Sequence, residues 1–239
     1  RGFETVTIVL EGLVDHFDSA GATGRYGHGD VQWMTAGDGL QHAEMFPLVH
    51  EERPNPLELF QIWLNLPKAA KTAPGHYKML WSESIPVLKF QDDQERSIQM
   101  RIIAGEYEGT SAPAPAPDSW AAAAENQVAI WLLTLDPQAE FSLPPAGEGV
   151  NRTLYCFEGS SVQIANTEIP GSRAVNVSPD ETIAIKNGPD QSRILLLQGK
   201  PIAEPVAQYG PFVMNTQAEI QQAFEDYRST RFGGWPWDR

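Results

Sequence analysis

The stretch Gly39–Met45, with the sequence GLQHAEM, contains the residue pair best suited to chemistry in this chain. His42 and Glu44 stand two positions apart, and in a β-strand this spacing places both side chains on one face. A converging imidazole and carboxylate favour a transition metal, and the carboxylate favours a hard, redox-active ion such as iron(II). A solvated pair at a strand edge would show the same spacing, and a metal site needs at least one further ligand.

The other histidines fall in segments rich in turn-forming residues, which predicts surface positions. His16 precedes Asp18 and a glycine-containing turn, and His28 lies within the turn-like sequence GHGD. His50 and His76 lie beside prolines and are predicted to occupy exposed loops. Any of these residues could supply a metal ligand only if the fold brings it close to His42.

Cys156 stands between Tyr155 and Phe157 in a strand-like segment, which favours a buried, inert thiol over a nucleophile. The sequence contains no nucleophile elbow and no Ser-His-Asp order. A covalent hydrolase mechanism is therefore not indicated, and the His42–Glu44 pair remains the strongest chemical signal.

The overall charge restricts the partners that the protein can have. Among 239 residues, 17 are Lys or Arg and 31 are Asp or Glu, which gives a formal net charge of −14. We therefore expect no direct contact with nucleic acid, because a phosphate-binding surface requires clustered basic residues. No apolar run approaches the roughly 18 to 20 residues that span a bilayer, and the single cysteine excludes an intrachain disulfide. We expect a monomer without membrane contact, located in the cytoplasm, or also in the nucleus of a eukaryote.

Short apolar segments separated by Gly, Pro, Asn and Asp turns indicate an all-β fold. In Arg1–Glu11, alternate residues share a face, with Val6 and Ile8 on one side and Thr5 and Thr7 on the other. Similar strand-like segments recur along the chain: Asp30–Thr35, Leu59–Leu66, Ile98–Gly105, Ala129–Leu135, Thr153–Phe157, Arg173–Val177, Thr182–Ile185 and Arg193–Gln198.

The two halves of the sequence resemble each other, which predicts two β-barrel units. In each half a strand ends in Glu-Gly, at Gly12 and at Gly159, and a second strand follows about 20 residues later. The Pro-rich sequence APAPAPD at 112–118 separates the halves as an extended linker or surface loop. The predicted domains are thus an N-terminal barrel over residues 1–110, a linker over 111–125, and a C-terminal barrel with helix and tail over 126–239.

One convincing helix is predicted near the C-terminus. Thr216 and Glu219 form a capping-box pattern. An apolar stripe follows at helical spacing, formed by Ile220, Ala223, Phe224 and Tyr227. The helix is predicted to reach about Arg228. The tail beyond it contains Trp235 and Trp237, whose rings must pack locally or against a neighbouring subunit.

Several of these segments together resemble the pirin family. They are RGFETVTIVLEG (Arg1–Gly12), DSAG (Asp18–Gly21), GDVQWMTAGDGLQHAEM (Gly29–Met45), LFQIWLNLP (Leu59–Pro67) and YGPFVMNTQAEIQQAFEDY (Tyr209–Tyr227). The resemblance extends over nearly the whole chain and implies membership of the cupin superfamily. It therefore implies a bicupin fold in which two β-barrels face each other, in agreement with the repeat.

The resemblance implies one metal, usually iron, held in the N-terminal barrel by three histidines and one glutamate. His42 and Glu44 match the third histidine and the glutamate. The first two histidines of the family form a His-Pro-His run directly before the Arg that matches Arg1, so they are absent from this sequence. The start of the protein is therefore expected to be missing. With only two of the four ligands, this chain is expected to hold iron weakly or not at all. Glu4 matches a glutamate that other cupins use as a ligand, and we expect it to support the ligands here.

Two functions are compatible with this resemblance. Some bacterial pirin-like proteins resemble quercetin 2,3-dioxygenases, which open a flavonol ring with O₂ and release carbon monoxide. In such an enzyme Glu44 or Glu4 would accept the flavonol proton. The aromatic side chains expected to flank the planar substrate are Phe3, Trp33 and Trp63. Eukaryotic pirins are instead iron-dependent co-regulators that bind transcription-factor partners, and an acidic chain fits a protein partner better than DNA.

Overall fold

The computed structural model describes residues 1–237 and consists mainly of antiparallel β-strands. The chain divides into two compact units. The first unit contains Arg1–Ser84, Pro115–Ala122 and the chain from Ile202 onward, and the second contains Ile85–Ala114 and Ala123–Pro201. This division differs from the boundaries predicted at residues 110 and 126 for two reasons. The strand Ser97–Ala104 pairs with Ala129–Leu135 of the second unit, and the C-terminal segment belongs to the first unit.

The first unit begins with seven strands that form two antiparallel sheets. These strands are β1 (Phe3–Glu11), β2 (Leu13–Asp18), β3 (Thr23–Gly27), β4 (Val31–Thr35), β5 (His42–Met45), β6 (Glu58–Asn65) and β7 (His76–Leu80). One sheet has the order β6-β1-β4-β7, and the other has the order β3-β2-β5. The second sheet contains both His42 and Glu44, so the predicted pair does lie on one strand.

Strand β1 is the centre of the larger sheet in this unit. It pairs with β4 on one side and with β6 on the other, so that Glu4 lies between Thr35 and Leu64. Residues from Phe3 to Val9 are all buried, so both faces of β1 are covered. Branched and aromatic side chains suit such a doubly covered strand, and the alternation read from the sequence determines which of them share a face.

The second unit contains the next twelve strands. They are β8 (Val87–Gln91), β9 (Ser97–Ala104), β10 (Glu106–Tyr107), β11 (Thr110–Ser111), β12 (Ala129–Leu135), β13 (Glu140–Leu143), β14 (Asn151–Glu158), β15 (Ser161–Ile164), β16 (Thr167–Pro170), β17 (Arg173–Asn176), β18 (Ile183–Asn187) and β19 (Ser192–Gly199). They form a six-stranded sheet, β17-β14-β19-β12-β9-β8, a four-stranded sheet, β13-β18-β15-β16, and the small pair β10-β11. Leu133, Leu154, Ile185 and Leu196 are among the buried apolar residues of its core. Each unit thus contains paired antiparallel sheets, as the internal repeat predicted.

The C-terminal segment returns to the first unit through β20 (Ala207–Tyr209), β21 (Phe212–Met214) and the helix α1 (Gln217–Thr230). The predicted capping box is confirmed: Thr216 accepts a hydrogen bond from the Glu219 amide, and the Glu219 carboxylate accepts one from the Thr216 amide. Ile220 and Ala223 pack against the β20–β21 hairpin. Among residues 1–237, no helix combines the length and apolarity needed to span a membrane.

The Pro-rich segment at 112–118 is more than a surface loop. From Pro115 onward it belongs to the first unit, where Ala116 and Ser119 are buried. The Ser119 hydroxyl donates a hydrogen bond to the Glu4 carboxylate. Prolines keep this segment extended, which brings a polar side chain to a buried strand.

Cys156 is buried in the core of the second unit, as predicted, and its thiol should be unreactive in the folded protein. Burial raises the pKa of Cys156 to about 11. At pH 8 the thiolate fraction is then roughly one in a thousand. We expect a chromogenic disulfide reagent to leave the folded protein unlabelled and to label it after unfolding in guanidinium. A Ser142→Cys variant, whose new thiol would be exposed on β13, serves as the positive control. Rapid labelling of Cys156 in the folded protein would contradict the expected burial.

Candidate metal centre

The pairing of β2 with β5 brings His42 and Glu44 together with a third donor. In this antiparallel pair, His16 lies opposite Glu44, and Asp18 lies opposite His42. Residues opposite each other in such a ladder have neighbouring side chains on one face of the sheet. One candidate ligand atom from each of His16, His42 and Glu44 lies within 4.8 Å of the other two. We call these three residues the metal group. His16 is fully buried, Glu44 is partly buried and His42 is exposed.

His16 is held in a fixed orientation by two neighbours. Its Nε2 atom lies 3.1 Å from Oδ2 of Asp18, and its ring stacks on Tyr77 with 4.8 Å between ring centroids. Asp18 is itself fixed, because its Oδ1 accepts hydrogen bonds from the amides of Ala20 and Ala22. When Nε2 donates its proton to Asp18, Nδ1 carries the free lone pair that a metal ligand requires.

The surroundings of Glu44 and His42 also suit metal ligands. The Glu44 carboxylate accepts hydrogen bonds from Gln61 Nε2 at 3.1 Å and from the Tyr26 hydroxyl at 3.4 Å. Although His42 as a whole residue is exposed, desolvation of its ring lowers its pKa, against the opposing effect of the Glu44 carboxylate. Its imidazole is therefore neutral at neutral pH, which is the form that coordinates metals. Burial likewise raises the pKa of Tyr77 to about 12, so this ring remains neutral.

The donor set of this group fits a divalent transition metal. Two imidazoles and one carboxylate form the set typical of non-haem iron(II) centres, in which other coordination positions stay open. The Nδ1 atom of His16 is buried and has no hydrogen-bond partner among residues 1–237. In the tautomer whose Nε2 donates to Asp18, a cation bound at Nδ1 would satisfy this lone pair, and Asp18 would be the carboxylate behind a ligating histidine.

The segment that leads into His42 is clamped by the C-terminal part of the chain. The Gln41 side chain donates hydrogen bonds to the carbonyl oxygens of Arg231 and Gly234 and accepts one from the Tyr227 hydroxyl at 3.1 Å. Trp237 Nε1 donates to the carbonyl oxygen of Asp18 at 2.8 Å. Trp237 thus packs within its own chain, which was one of the two alternatives predicted for the tail.

We expect Gln41→Met to weaken metal binding roughly 10-fold, as is typical when a group that orients a ligand is lost. Methionine matches the length of glutamine but removes three hydrogen bonds next to His42. The measurement is the dissociation constant for iron(II) in competition with a chromophoric chelator. Gln221→Met on the exposed face of α1 is the matched control. Equal affinities in the two variants would show that the clamp does not position His42.

The structure does not bring Glu4 to this group. Gln61 contacts both Glu44 and Thr7, so Thr7 marks the face of the sheet β6-β1-β4-β7 that is directed towards the metal group. We call this the inner face. Glu4 is three residues from Thr7 and lies on the opposite face, where its carboxylate accepts hydrogen bonds from Thr35 and Ser119. Glu4 therefore makes no contact through which it could support the metal ligands, as the sequence had led us to expect.

Two of the three predicted aromatic residues lie on the inner face. Phe3 and Trp63 pack together with 4.3 Å between ring centroids, on the same side of the sheet as Thr5. Trp63 is 47% exposed, so part of its ring remains available to a ligand. Trp33 pairs with Val6 and is fully buried on the opposite face, so it cannot flank a ligand at the metal group.

Sequence reasoning missed His16, because a nearby glycine turn suggested a surface position. The structure places His16 within β2, two residues before the strand ends, with no exposed surface. The signal that could have revealed it is the pair His16 and Asp18, which repeats the two-residue spacing of His42 and Glu44. His76, predicted in a loop, instead begins β7. His28 lies in a turn as predicted.

Two units of paired antiparallel sheets, with a His–His–Glu group in the first, define the bicupin class. The pirin domain family matches residues 1–64, and the pirin C-terminal cupin domain family matches residues 130–233. Human pirin is 34% identical over 239 residues, covering 98% of this chain and 76% of that protein. A pirin-like protein of Caulobacter vibrioides is 34% identical over 232 residues, covering 97% of this chain and 78% of that protein. The chain belongs to the pirin family.

A solved crystal structure of a similar protein supports this assignment. The crystal structure of a quercetin 2,3-dioxygenase from Acinetobacter baumannii is 34% identical and superposes with a TM-score of 0.85. The match covers 98% of this chain and 77% of that chain. Both units of the present structure therefore have counterparts in a solved cupin structure.

Proposed function

We propose that this protein is a metal-dependent dioxygenase that acts on quercetin-type flavonols, with one iron(II) held by His16, His42 and Glu44. The observation that carries the proposal is the convergence of these three donors within 4.8 Å on the β2–β5 pair. The similarity to a quercetin 2,3-dioxygenase of Acinetobacter baumannii supports the choice of substrate.

A redox-active divalent metal at this position supplies a Lewis acid and an electron path between a flavonol and O₂ when it is bound. The residues of the chain supply the remaining functions. Glu44 is the carboxylate placed to accept the proton of the flavonol hydroxyl group. Its two oxygens are oriented by Tyr26 and Gln61, which keeps the acceptor fixed relative to His42.

Aromatic and apolar surface near the metal group suits a flat substrate. Phe3 and Trp63 offer ring faces on the inner face of the sheet. A planar aromatic molecule could stack on these two rings while its polar edge meets Glu44.

The test is metal content combined with O₂ uptake. The protein is stripped with a chelator, reloaded with iron(II) without oxygen, and assayed for bound iron, for O₂ consumption with quercetin and for release of carbon monoxide. The sequence offered only two ligands and predicted weak binding, whereas His16 adds a third donor. We therefore expect about one iron per chain and O₂ uptake that depends on the flavonol. Iron binding without O₂ uptake for any flavonol would refute the proposed activity.

That negative result would favour the alternative, an iron- and redox-dependent protein that binds transcription-factor partners without catalysis. One observation favours it: the apolar residues Phe46, Leu48 and Val49 follow β5 and are 51% to 78% exposed. A partner-binding protein would retain iron in the same assay but would not consume O₂ with quercetin.

A further inference from the structure

The inner face of the sheet β6-β1-β4-β7 carries two rows of side chains beside the metal group. Strand pairing places Thr5 between Trp63 and Met34 in one row. It places Thr7 between Gln61 and Gln32 in the next row. The first row ends at Tyr77, whose ring stacks on His16, and Gln61 in the second row donates to Glu44. Both rows therefore reach the metal group.

Polar atoms in these rows are buried without hydrogen bonds. Gln32 has no exposed surface, and neither its Oε1 nor its Nε2 has a partner within residues 1–237. The Thr5 hydroxyl, on a side chain with 3% exposure, also has no partner in this part of the chain. A buried polar group without a hydrogen bond is unfavourable for folding, and such groups are uncommon unless water or a ligand completes them.

The surroundings of these groups indicate the kind of molecule that would complete them. Met34 and Met79 lie beside them on the same face, with Phe3 and Trp63 at the next positions. An amide offers both a donor and an acceptor, and a hydroxyl offers both as well. Thr5 and Gln32 are diagonal neighbours on adjacent strands, about 7 to 8 Å apart. This arrangement suits a flat, mainly apolar molecule with hydroxyl groups at separate positions of its rings.

We propose that Gln32 and Thr5 form a specificity site that recognises the ring hydroxyl groups of the aromatic substrate, away from the group that reacts at the metal. This inference rests on the proposed function for the identity of the substrate. It assigns a role to two residues that lie outside the metal ligands. It also predicts that their polarity serves ligand binding rather than folding.

The test compares two flavonols on metal-loaded protein without oxygen. Quercetin carries several ring hydroxyl groups, whereas 3-hydroxyflavone keeps the reacting hydroxyl and lacks the others. Binding is followed by quenching of tryptophan fluorescence. We expect the protein to prefer quercetin by roughly 10- to 100-fold, since sites built for a hydroxyl group discriminate against analogues that lack it. Gln32→Met should lower quercetin affinity roughly 10-fold and leave 3-hydroxyflavone affinity unchanged.

Thermal unfolding of the same variants separates a binding role from a structural one. Gln32→Met, and Thr5→Val as a second variant, should unfold at the same temperature as the parent protein or higher, because each removes an unpaired buried group. Thr35→Val is the matched control on the opposite face, where the hydroxyl is paired with Glu4. It should lower the unfolding temperature and leave the preference for quercetin intact.

Failure of this inference differs from failure of the proposed function. Preference for quercetin that is lost in Gln32→Met, but without O₂ uptake by any form, would support the specificity site and refute the dioxygenase. Turnover of quercetin with unchanged preference in Gln32→Met and Thr5→Val would refute the specificity site alone. Equal binding of both flavonols by the parent protein, or no binding of either, would also overturn the inference, since Gln32 and Thr5 would then serve only buried water.

Discussion

Replacing Glu44 with glutamine should abolish stable metal binding and, with it, any O₂ uptake. The variant keeps the shape of the side chain but removes the only carboxylate among the three grouped donors. Loss of a ligating group should exceed the 10- to 100-fold effect typical of residues behind the ligands, so we expect a loss of affinity of more than about 100-fold. The measurement is iron bound per chain after gel filtration, with the dissociation constant from chelator competition.

Glu4→Gln is the matched control for this experiment, since it makes the same chemical change on the opposite face of β1. The Glu4 carboxylate is fully buried and paired with Thr35 and Ser119, and it makes no contact with the metal group. We expect metal content to remain that of the parent protein. Retained iron in Glu44→Gln, or lost iron in folded Glu4→Gln, would show that the donor group has been assigned incorrectly.

Glu4→Gln should also change how the free energy of unfolding depends on pH. Burial raises the pKa of Glu4 above its ordinary value of 4.5. The folded protein then binds more protons than the unfolded chain between that value and the raised pKa, so this group lowers stability as the pH rises through the interval. Glu4→Gln should remove this dependence. Urea unfolding of both proteins across the acidic pH range measures this dependence. If the free energy of unfolding changed with pH equally in Glu4→Gln and the parent protein, the prediction would be contradicted.

Replacing Lys71 with methionine should destabilise the folded protein strongly. Lys71 is 2% exposed, and its Nζ donates to the carbonyl oxygens of Gly2 and Val213 and to Oδ1 of Asn65, at 2.7 to 2.9 Å. These hydrogen bonds connect the start of β1, the end of β6 and β21. Methionine fills the same space but leaves three acceptors unpaired, so we expect a loss of about 2 to 4 kcal/mol in the free energy of unfolding.

The measurement is urea unfolding at neutral pH, with Lys68→Met as the exposed control. Desolvation also lowers the pKa of Lys71 below its ordinary value of 10.5. The unfolded chain then binds more protons between the lowered pKa and 10.5, so the contribution of Lys71 to stability should rise with pH in that interval. If Lys71→Met and Lys68→Met were equally stable, the buried lysine would not connect the three strands.

The local signals in the sequence were sufficient for the strands, the terminal helix and the face shared by His42 and Glu44. A two-residue period decides which side chains of a strand lie together, and Thr216 with Glu219 completes a cap within a few residues. These features depend on neighbours along the chain. The bicupin class also followed from the sequence, through the motifs that resemble the pirin family.

Only the tertiary structure decided which face of β1 is directed towards His42 and Glu44 and which further candidate donor lies beside them. The alternation of Glu4 with Thr5 is visible in the sequence, but either face could have been the inner one. His16 joins His42 and Glu44 through the register of β2 against β5, across about 26 residues of chain that include β3 and β4. Strand register depends on long-range pairing and burial, which no local pattern encodes. For this reason the sequence identified the pair His42 and Glu44, and only the folded chain identified His16 as a third candidate donor.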